Sequence, residues 1–416
     1  MAQPIRILVY SGQIEVVGGD AKSILELISE LDPNRYEILF YTDVNRSFPP
    51  RKNQWLTRDL PVHYLPTYPT LFQISELDGI PGLPGRLIRY AYRLLTGRWL
   101  FGQLKNYRIF KRLFTYVGPI DIFFFNNGGY PGKEAGQLAL WVAKCSGVPA
   151  TVMSLHNMPQ PRRILRPMDR VWDGLLSRYC DRVITASRTL KTALHERRHY
   201  PLGRTEVIYC GLKDRKRDQN ISEAFERKRD WDYLGLVGSI LPQKGHAFLL
   251  LALREVIRTR ANVALVIVGD GPAKELESVR ELVSSLGLSD HVQFLGHRSD
   301  IGEIMSALKI SVVPSVAFEA TPYTIKEALR EGVPVITTTS GGCAEAIVDG
   351  ESGLVVEPND VHGLTRAILR LLEDREYREK IAANGRKRYE TEFAMDHSLR
   401  LHTNLFEQLT NHEDHE

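Results

Sequence analysis

Lys309 to Ile336 reads KISVVPSVAFEATPYTIKEALREGVPVI. KISVVPS is a β-branched run that reads as a strand, and VPVITTT, beginning at Val333, reads as another. Between them TIKEALRE has helical spacing. Strand, loop, helix and strand in so short a span make a βαβ unit, and a chain of such units is a doubly wound α/β sheet.

The alternation continues in both directions. Downstream comes GLVVEP, and upstream YLGLVGSI, ANVALVIVGDG and HVQFLGH, each separated by a helical pattern. Further upstream lies KDRKRDQNISEAFERKRD, Lys213 to Asp230, polar enough to be a solvated connector. Before it the pattern runs again: IRILVYSG, the helix DAKSILELISEL, then YEILFYT, IDIFFFNN, ATVMSLHN, RVITAS and EVIYCG. The expectation is two doubly wound Rossmann-like domains facing a cleft. Residues 1–205 form the first and 206–385 the second, and a helix in 386–416 crosses back to the first. Length agrees, since 416 residues exceed one ordinary domain. In such sheets ligands bind beyond the carboxyl ends of the strands.

Composition narrows the class. Hydrophobic residues are 43% and charged residues 25%, as in soluble globular proteins. Cys145, Cys180, Cys210 and Cys343 have no CxxC spacing, which speaks against zinc and disulfides and for a reducing compartment. No histidine pair has metal-ligand spacing. No signal peptide or membrane-spanning run is expected.

The opening stretch holds two glutamates, Glu319 and Glu327. Thr321 is placed to cap the helix and Pro322 to take its first position, where a missing N–H costs nothing. The Tyr323 and Thr324 amides would then lack helix partners, and a helix N-terminus is a ready phosphate site. Glu327 is placed to accept from a ribose, and Glu319 to reach a sugar. A well-capped surface helix with two incidental acids fits these residues equally well.

LVGSILPQKGH, Leu236 to His246, sets Lys244 just ahead of a helix, a natural diphosphate partner. IEVVGGDAKS puts Gly18 and Gly19 after the first strand, where a ligand can approach the backbone. It is not the GxGxxG fingerprint, so a dinucleotide dehydrogenase is poorly supported. His156 ends a strand in SLHNM; a lone histidine there also reads as structural.

Together these pieces resemble the retaining nucleotide-sugar glycosyltransferases of family 4, which have the GT-B fold. The resemblance covers most of the chain and is densest from Leu236 to Pro358. It rests on the Glu319-x7-Glu327 signature, the VG…KG loop, VIVGDGP, VQFLGH, GVPVITTTSGGCAE and VDGESGLVVEPND. It implies a metal-independent enzyme without a cofactor that moves a sugar from a nucleoside-diphosphate sugar. Lys244 and the Tyr323 and Thr324 amides, beside Pro322, would hold the diphosphate. Glu327 would bind the ribose, Glu319 the donor sugar, and His156 that sugar from the other domain. Gly18 and Gly19 would pass near the phosphate or acceptor. The base would lie near His297 and Arg298. Three positions depart from the family pattern: Ser239 stands where an arginine is usual, Cys210 for an asparagine, and Ala320 for a glycine. Arg298 or the basic segment could compensate for the missing arginine. A sugar-nucleotide epimerase and a non-catalytic partner subunit are the alternatives.

From Pro81 to Pro119 there are eight Lys or Arg and no acid. Within it Arg86 to Phe114 reads as helical, with Leu100, Leu104, Tyr107 and Phe114 as an apolar stripe. It could lie on an anionic bilayer and present the cleft to a lipid-linked acceptor. Equally, it could pack on the first sheet with its basic side in water. No nucleic-acid motif accompanies the charge. A cytoplasmic protein, or one at the inner face of the cell membrane, is the expectation.

Overall fold

The computed structural model describes residues 3–12, 19–43, 60–67, 98–162, 168–215 and 225–411. The chain divides into two compact units. The first takes Met1–Ala186, Leu190–Ile208 and Leu399–Glu416; the second takes Ser187–Thr189 and Tyr209–Ser398.

The first unit is a seven-stranded parallel sheet. Its strands are β1 (Ile5–Ser11), β2 (Tyr36–Asp43), β3 (Val62–Leu65), β4 (Ile122–Gly129), β5 (Ala150–Asn157), β6 (Arg182–Thr185) and β7 (Thr205–Val207), in the order β3-β2-β1-β4-β5-β6-β7. Helices α1 (Gly19–Glu30), α2 (Arg98–Val117), α3 (Glu134–Cys145), α4 (Met168–Tyr179) and α5 (Arg188–Arg198) alternate with them. The period of two in a strand sends successive side chains to opposite faces. Leu8, Tyr10, Phe123 and Phe125 meet Phe110 of α2, Leu138 of α3 and Trp172 of α4. Ile7, Val9, Ile122 and Phe124 meet Leu25 and Ile28 of α1. Burial on both faces is why IFFF can be one unbroken apolar run.

The second unit is a six-stranded parallel sheet. Its elements are β8 (Asp232–Val237), α6 (His246–Thr259), β9 (Val263–Val268), α7 (Ala273–Ser285), β10 (Val292–Gly296), α8 (Ile301–Ser306), β11 (Ile310–Val313), α9 (Tyr323–Glu331), β12 (Val335–Thr338), β13 (Leu354–Val356), α10 (Val361–Glu373) and α11 (Arg375–Arg388). The strand order is β10-β9-β8-β11-β12-β13. After a π-helical turn at Tyr389–Phe393 comes α12 (Met395–Thr410). Its later residues belong to the first unit, where Leu405 and Phe406 complete the α1-side core. The Phe406 ring stands edge-on to Phe124 and Tyr36.

Three details differ from the sequence reading. β3 was not foreseen; VHYL is a short edge strand. The connector is not wholly solvated at its described ends. Arg215 pairs with Glu303 at 2.5 Å and Glu331 at 2.8 Å, and Phe225 is buried against Tyr233. On α2, Tyr107 packs on Trp141 and Phe114 is buried against Phe123, while Leu100 and Leu104 face outward. Residues 86–97 of that segment lie outside the described residues.

Candidate active site

Each sheet reverses its strand order once, between β1 and β4 in the first unit and between β8 and β11 in the second. Loops diverge there and leave a crevice. In the second unit, the loops leaving β8 and β11 carry Lys244 and Glu319.

Lys244 ends a 3-10 turn at Pro242–Lys244. The next residue, Gly245, has φ +75°, and a Cβ there would lie 1.8 Å from the Pro314 carbonyl oxygen. Only glycine permits the β8 and β11 loops to cross so closely. The Val316 amide donates to the Gln243 carbonyl at 2.9 Å, tying the loops together. The consequence is direct: Lys244 Nζ lies 2.6 Å from Glu319 Oε1. Both side chains are mostly covered, 24% and 17% exposed.

A third loop, after β12, fixes the Glu319 backbone. The Gly342 amide donates to the Glu319 carbonyl at 2.7 Å, and a Cβ on Gly342 would fall 1.4 Å from the Ala320 oxygen. Cys343 is buried next to it. Burial, and then the Glu319 charge, push its thiol up to about 12, so it stays protonated.

Helix α9 begins at Tyr323, with Pro322 as its N-cap in extended conformation. Thr321 was expected to cap; instead its residue is buried and no side chain caps the helix. The first amides of any helix point outward without acceptors in that helix, and here they belong to Tyr323 and Thr324. Glu327 lies one turn further in, half-buried. Lys326, which sequence reasoning missed, is fully buried. Its Nζ donates to the Cys210 carbonyl at 3.0 Å and sits 4.0 Å from the Tyr323 ring centre. The sequence signal was its i,i+3 spacing from Tyr323.

His246 was also missed. It opens α6, buried to 3%. The Leu241 backbone lies near, but neither ring nitrogen makes a hydrogen bond of good geometry. Burial, and then the Lys244 charge, hold its pKa down to about 4. Ser239 is exposed in the same loop.

His297 and Arg298 follow β10, the edge strand two places from β8. Arg298 is bound to Asp300 at 2.7 Å.

In the first unit, His156 ends β5 half-buried. Its Nε2 lies 3.0 Å from Asn126 Oδ1 and 3.3 Å from Ser154 Oγ. Asn126 also receives from Ser154 at 2.8 Å and donates to Ser11 at 3.1 Å. This places a polar cluster on the β1/β4 reversal. Lys133, at φ +51°, reaches the Asn126 carbonyl at 3.4 Å. Asp43 accepts from Tyr10 at 2.6 Å and Thr67 at 2.5 Å; burial raises its pKa against both bonds and the Lys133 charge. Gly19 is the first residue of α1, and Gly18 lies outside the described residues.

Two parallel-sheet Rossmann-like domains with this strand order define a fold of the GT-B glycosyltransferase type. The chain carries two domains of that class: residues 17–216 match Glycosyltransferase Family 4 and residues 217–388 match Glycosyl transferases group 1. The crystal structure of Anabaena Alr3699/HepE in complex with UDP superposes with a TM-score of 0.77 at 20% identity, over 97% of this chain and 100% of that one. An exopolysaccharide phosphotransferase of Streptomyces coelicolor is 33% identical over 42% of this chain, a match spanning only 18% of that protein. A GDP-mannose-dependent phosphatidylinositol monomannoside mannosyltransferase of Mycobacterium tuberculosis is 28% identical over 61% of this chain and 69% of its own length.

Proposed function

We propose that this chain is a retaining, metal-independent glycosyltransferase. It moves a sugar from a nucleoside-diphosphate sugar to a glycan or lipid-linked acceptor, in the cytoplasm or at the inner face of the cell membrane. The observation that carries the reading is the meeting of Lys244 and Glu319 beside the start of α9. A cation, a carboxylate and a helix N-terminus at one sheet reversal are the groups that a sugar diphosphate requires.

As the bond from the sugar to the diphosphate breaks, negative charge grows on the leaving phosphate. Lys244 and the α9 amides oppose that charge more strongly in the transition state than before it. Pro322 has no N–H and contributes none. Glu319 orients the sugar through its hydroxyls and Glu327 the ribose, and His156 is the first unit's candidate for binding sugar. An acceptor hydroxyl entering on the leaving-group side retains configuration without a protein nucleophile. Glu319 and Glu327 are therefore not a glycosidase pair, which flanks one bond. No cofactor enters this scheme. Among the described residues, no group of three His, Cys, Asp or Glu converges as metal ligands would.

The test is nucleoside diphosphate release from UDP-glucose, GDP-mannose and ADP-glucose, in the presence of membrane lipid extract. Release from one donor, abolished by Glu319→Gln, supports the reading. Nucleotide binding without release from any donor favours a partner subunit, and isomerisation of the donor without acceptor favours an epimerase. Absence of nucleotide binding sinks the donor site itself.

A further inference from the structure

One face of the first sheet changes character along its strands. Ile7, Ile122 and Ala150 stand side by side on β1, β4 and β5, and so do Val9, Phe124 and Val152. Both rows are apolar and buried. Two residues further along, the same face carries Ser11, Asn126 and Ser154, again in register. They are buried too, Asn126 completely. A third apolar row would fold at lower cost, because buried polar groups lose water and must be bonded to make up for it. His156 follows Ser154 by two residues on that face and is only half-buried. The polar row lies where it can hold the imidazole.

The bonds fix where that ring carries its proton. Asn126 Nδ2 donates to Ser11 Oγ at 3.1 Å, so the amide turns its oxygen to Ser154 and His156. That oxygen can only accept. Ser154 Oγ donates to it at 2.8 Å. His156 Nε2, at 3.0 Å, must donate as well, for an unprotonated nitrogen would set lone pair against lone pair. Ser154 Oγ lies 3.3 Å from Nε2 but has given its proton to Asn126 and cannot supply the missing one. A neutral imidazole protonated on Nε2 accepts through Nδ1.

We propose that Asn126 is a positioning residue: it holds His156 as the Nε2–H tautomer, so that Nδ1 accepts a hydrogen bond from a sugar hydroxyl. The inference rests on His156 as the first unit's sugar-binding candidate in the proposed function. A donor sugar and an acceptor glycan present the same O–H, and the test separates them.

The test is nitrogen NMR of the full chain with isotope-labelled histidine. The His156 signals are those lost in His156→Gln. Without ligand, the wild type shows a protonated Nε2 whose proton exchanges slowly with water. Asn126→Leu loses that slow exchange, and Asn126→Asp, which keeps an acceptor oxygen, retains it. Circular dichroism reports folding; if Asn126→Leu does not fold, the wild-type tautomer and Asn126→Asp decide. A wild-type ring protonated on Nδ1 overturns the proposal, as does a slow Nε2 proton in folded Asn126→Leu or its loss in folded Asn126→Asp. Sugar is then added in two arms: methyl glucoside and methyl mannoside, or UDP-glucose and GDP-mannose with the bare nucleoside diphosphates as blanks. The Nδ1 signal moves with the sugar of one arm, and Asn126→Leu weakens that ligand about fivefold, the scale of one neutral hydrogen bond. Nδ1 unmoved in both arms overturns its acceptor role. Failure of the bare nucleoside diphosphates to bind counts against the Lys244 and Glu319 site instead, a separate result read in the blanks.

Discussion

Lys244 Nζ and Glu319 Oε1 are 2.6 Å apart, each supplying the other's counter-charge at the β8/β11 reversal. A sugar diphosphate that claims both groups must first separate them. Its phosphates would replace the carboxylate at Lys244, and its hydroxyls would replace the ammonium at Glu319. The ion pair leaves the two charges balanced against each other.

Neutralising Glu319 and neutralising Lys244 should then have opposite effects on one ligand. Glu319→Gln frees Lys244, so a nucleoside diphosphate lacking sugar binds as well as or better than to the wild type. Lys244→Gln weakens the same ligand about tenfold or more, the scale of a charge-assisted hydrogen bond. Calorimetric titration separates them; equal losses in both variants would show that the pair is structural.

His246 sets an acid limit on stability. Its pKa is about 4, depressed from an ordinary value near 6.5. The unfolded chain therefore binds a proton that the folded one refuses. The associated stability is complete above pH 6.5 and is lost as pH falls toward about 4, on the order of 3 kcal/mol in all. His246→Leu removes that loss along with two unbonded ring nitrogens, so at pH 7 it should be neutral or stabilising. Denaturant titrations at pH 7 and near pH 4.5 check both signs. A variant as acid-sensitive as the wild type would rule out His246 as the cause.

Gly342→Ala should disable the donor site without touching a charged group. The new methyl meets the Ala320 carbonyl, and either the β11 loop or the β12 loop must move. The expected result is a stability loss of about 2 kcal/mol or more, with nucleotide affinity falling alongside. Unchanged affinity in a folded variant would mean that the Glu319 backbone need not be held.

In the first unit, Asp173 should be the costliest single acid to neutralise. It is buried and accepts from the Tyr130 hydroxyl at 2.8 Å and from Arg162 at 2.7 Å; buried Arg198 approaches at 3.4 Å. Asp173→Asn leaves the Arg198 charge under-compensated, a loss of roughly 3–5 kcal/mol. A thermal melt reads it. A shift of under about 2 °C would show that Asp169, also paired with Arg198 at 3.2 Å, suffices alone.

The sheet architecture was legible because doubly covered strands leave continuous apolar runs such as Phe123–Phe125. VHYL was not, because four residues on an edge give too little pattern. The E-x7-E spacing located Glu319 and Glu327 on either side of a helix start. Nothing local revealed that Glu319 touches Lys244, since that contact depends on which strands lie together. Thr321 looked like a cap by residue type, but the loop turns it inward and lets Pro322 open the helix. On α2, Leu100 and Leu104 fit an apolar stripe with Tyr107 and Phe114. Burial splits that stripe, because apolar residues lie on nearly every side of the helix and its phase is ambiguous.

The last helix has a consequence for synthesis on the ribosome. Phe406 fills the core between Tyr36 and Phe124, yet it is translated after the whole second unit. The nascent first unit must wait with an open α1-side core while roughly 190 residues emerge, on the order of ten seconds or more at usual elongation rates. The second unit has no comparable wait and can close first, reversing the order in which the two begin to be made. A nascent chain stalled before Leu405 should therefore yield a protease-resistant second unit beside a still-sensitive first.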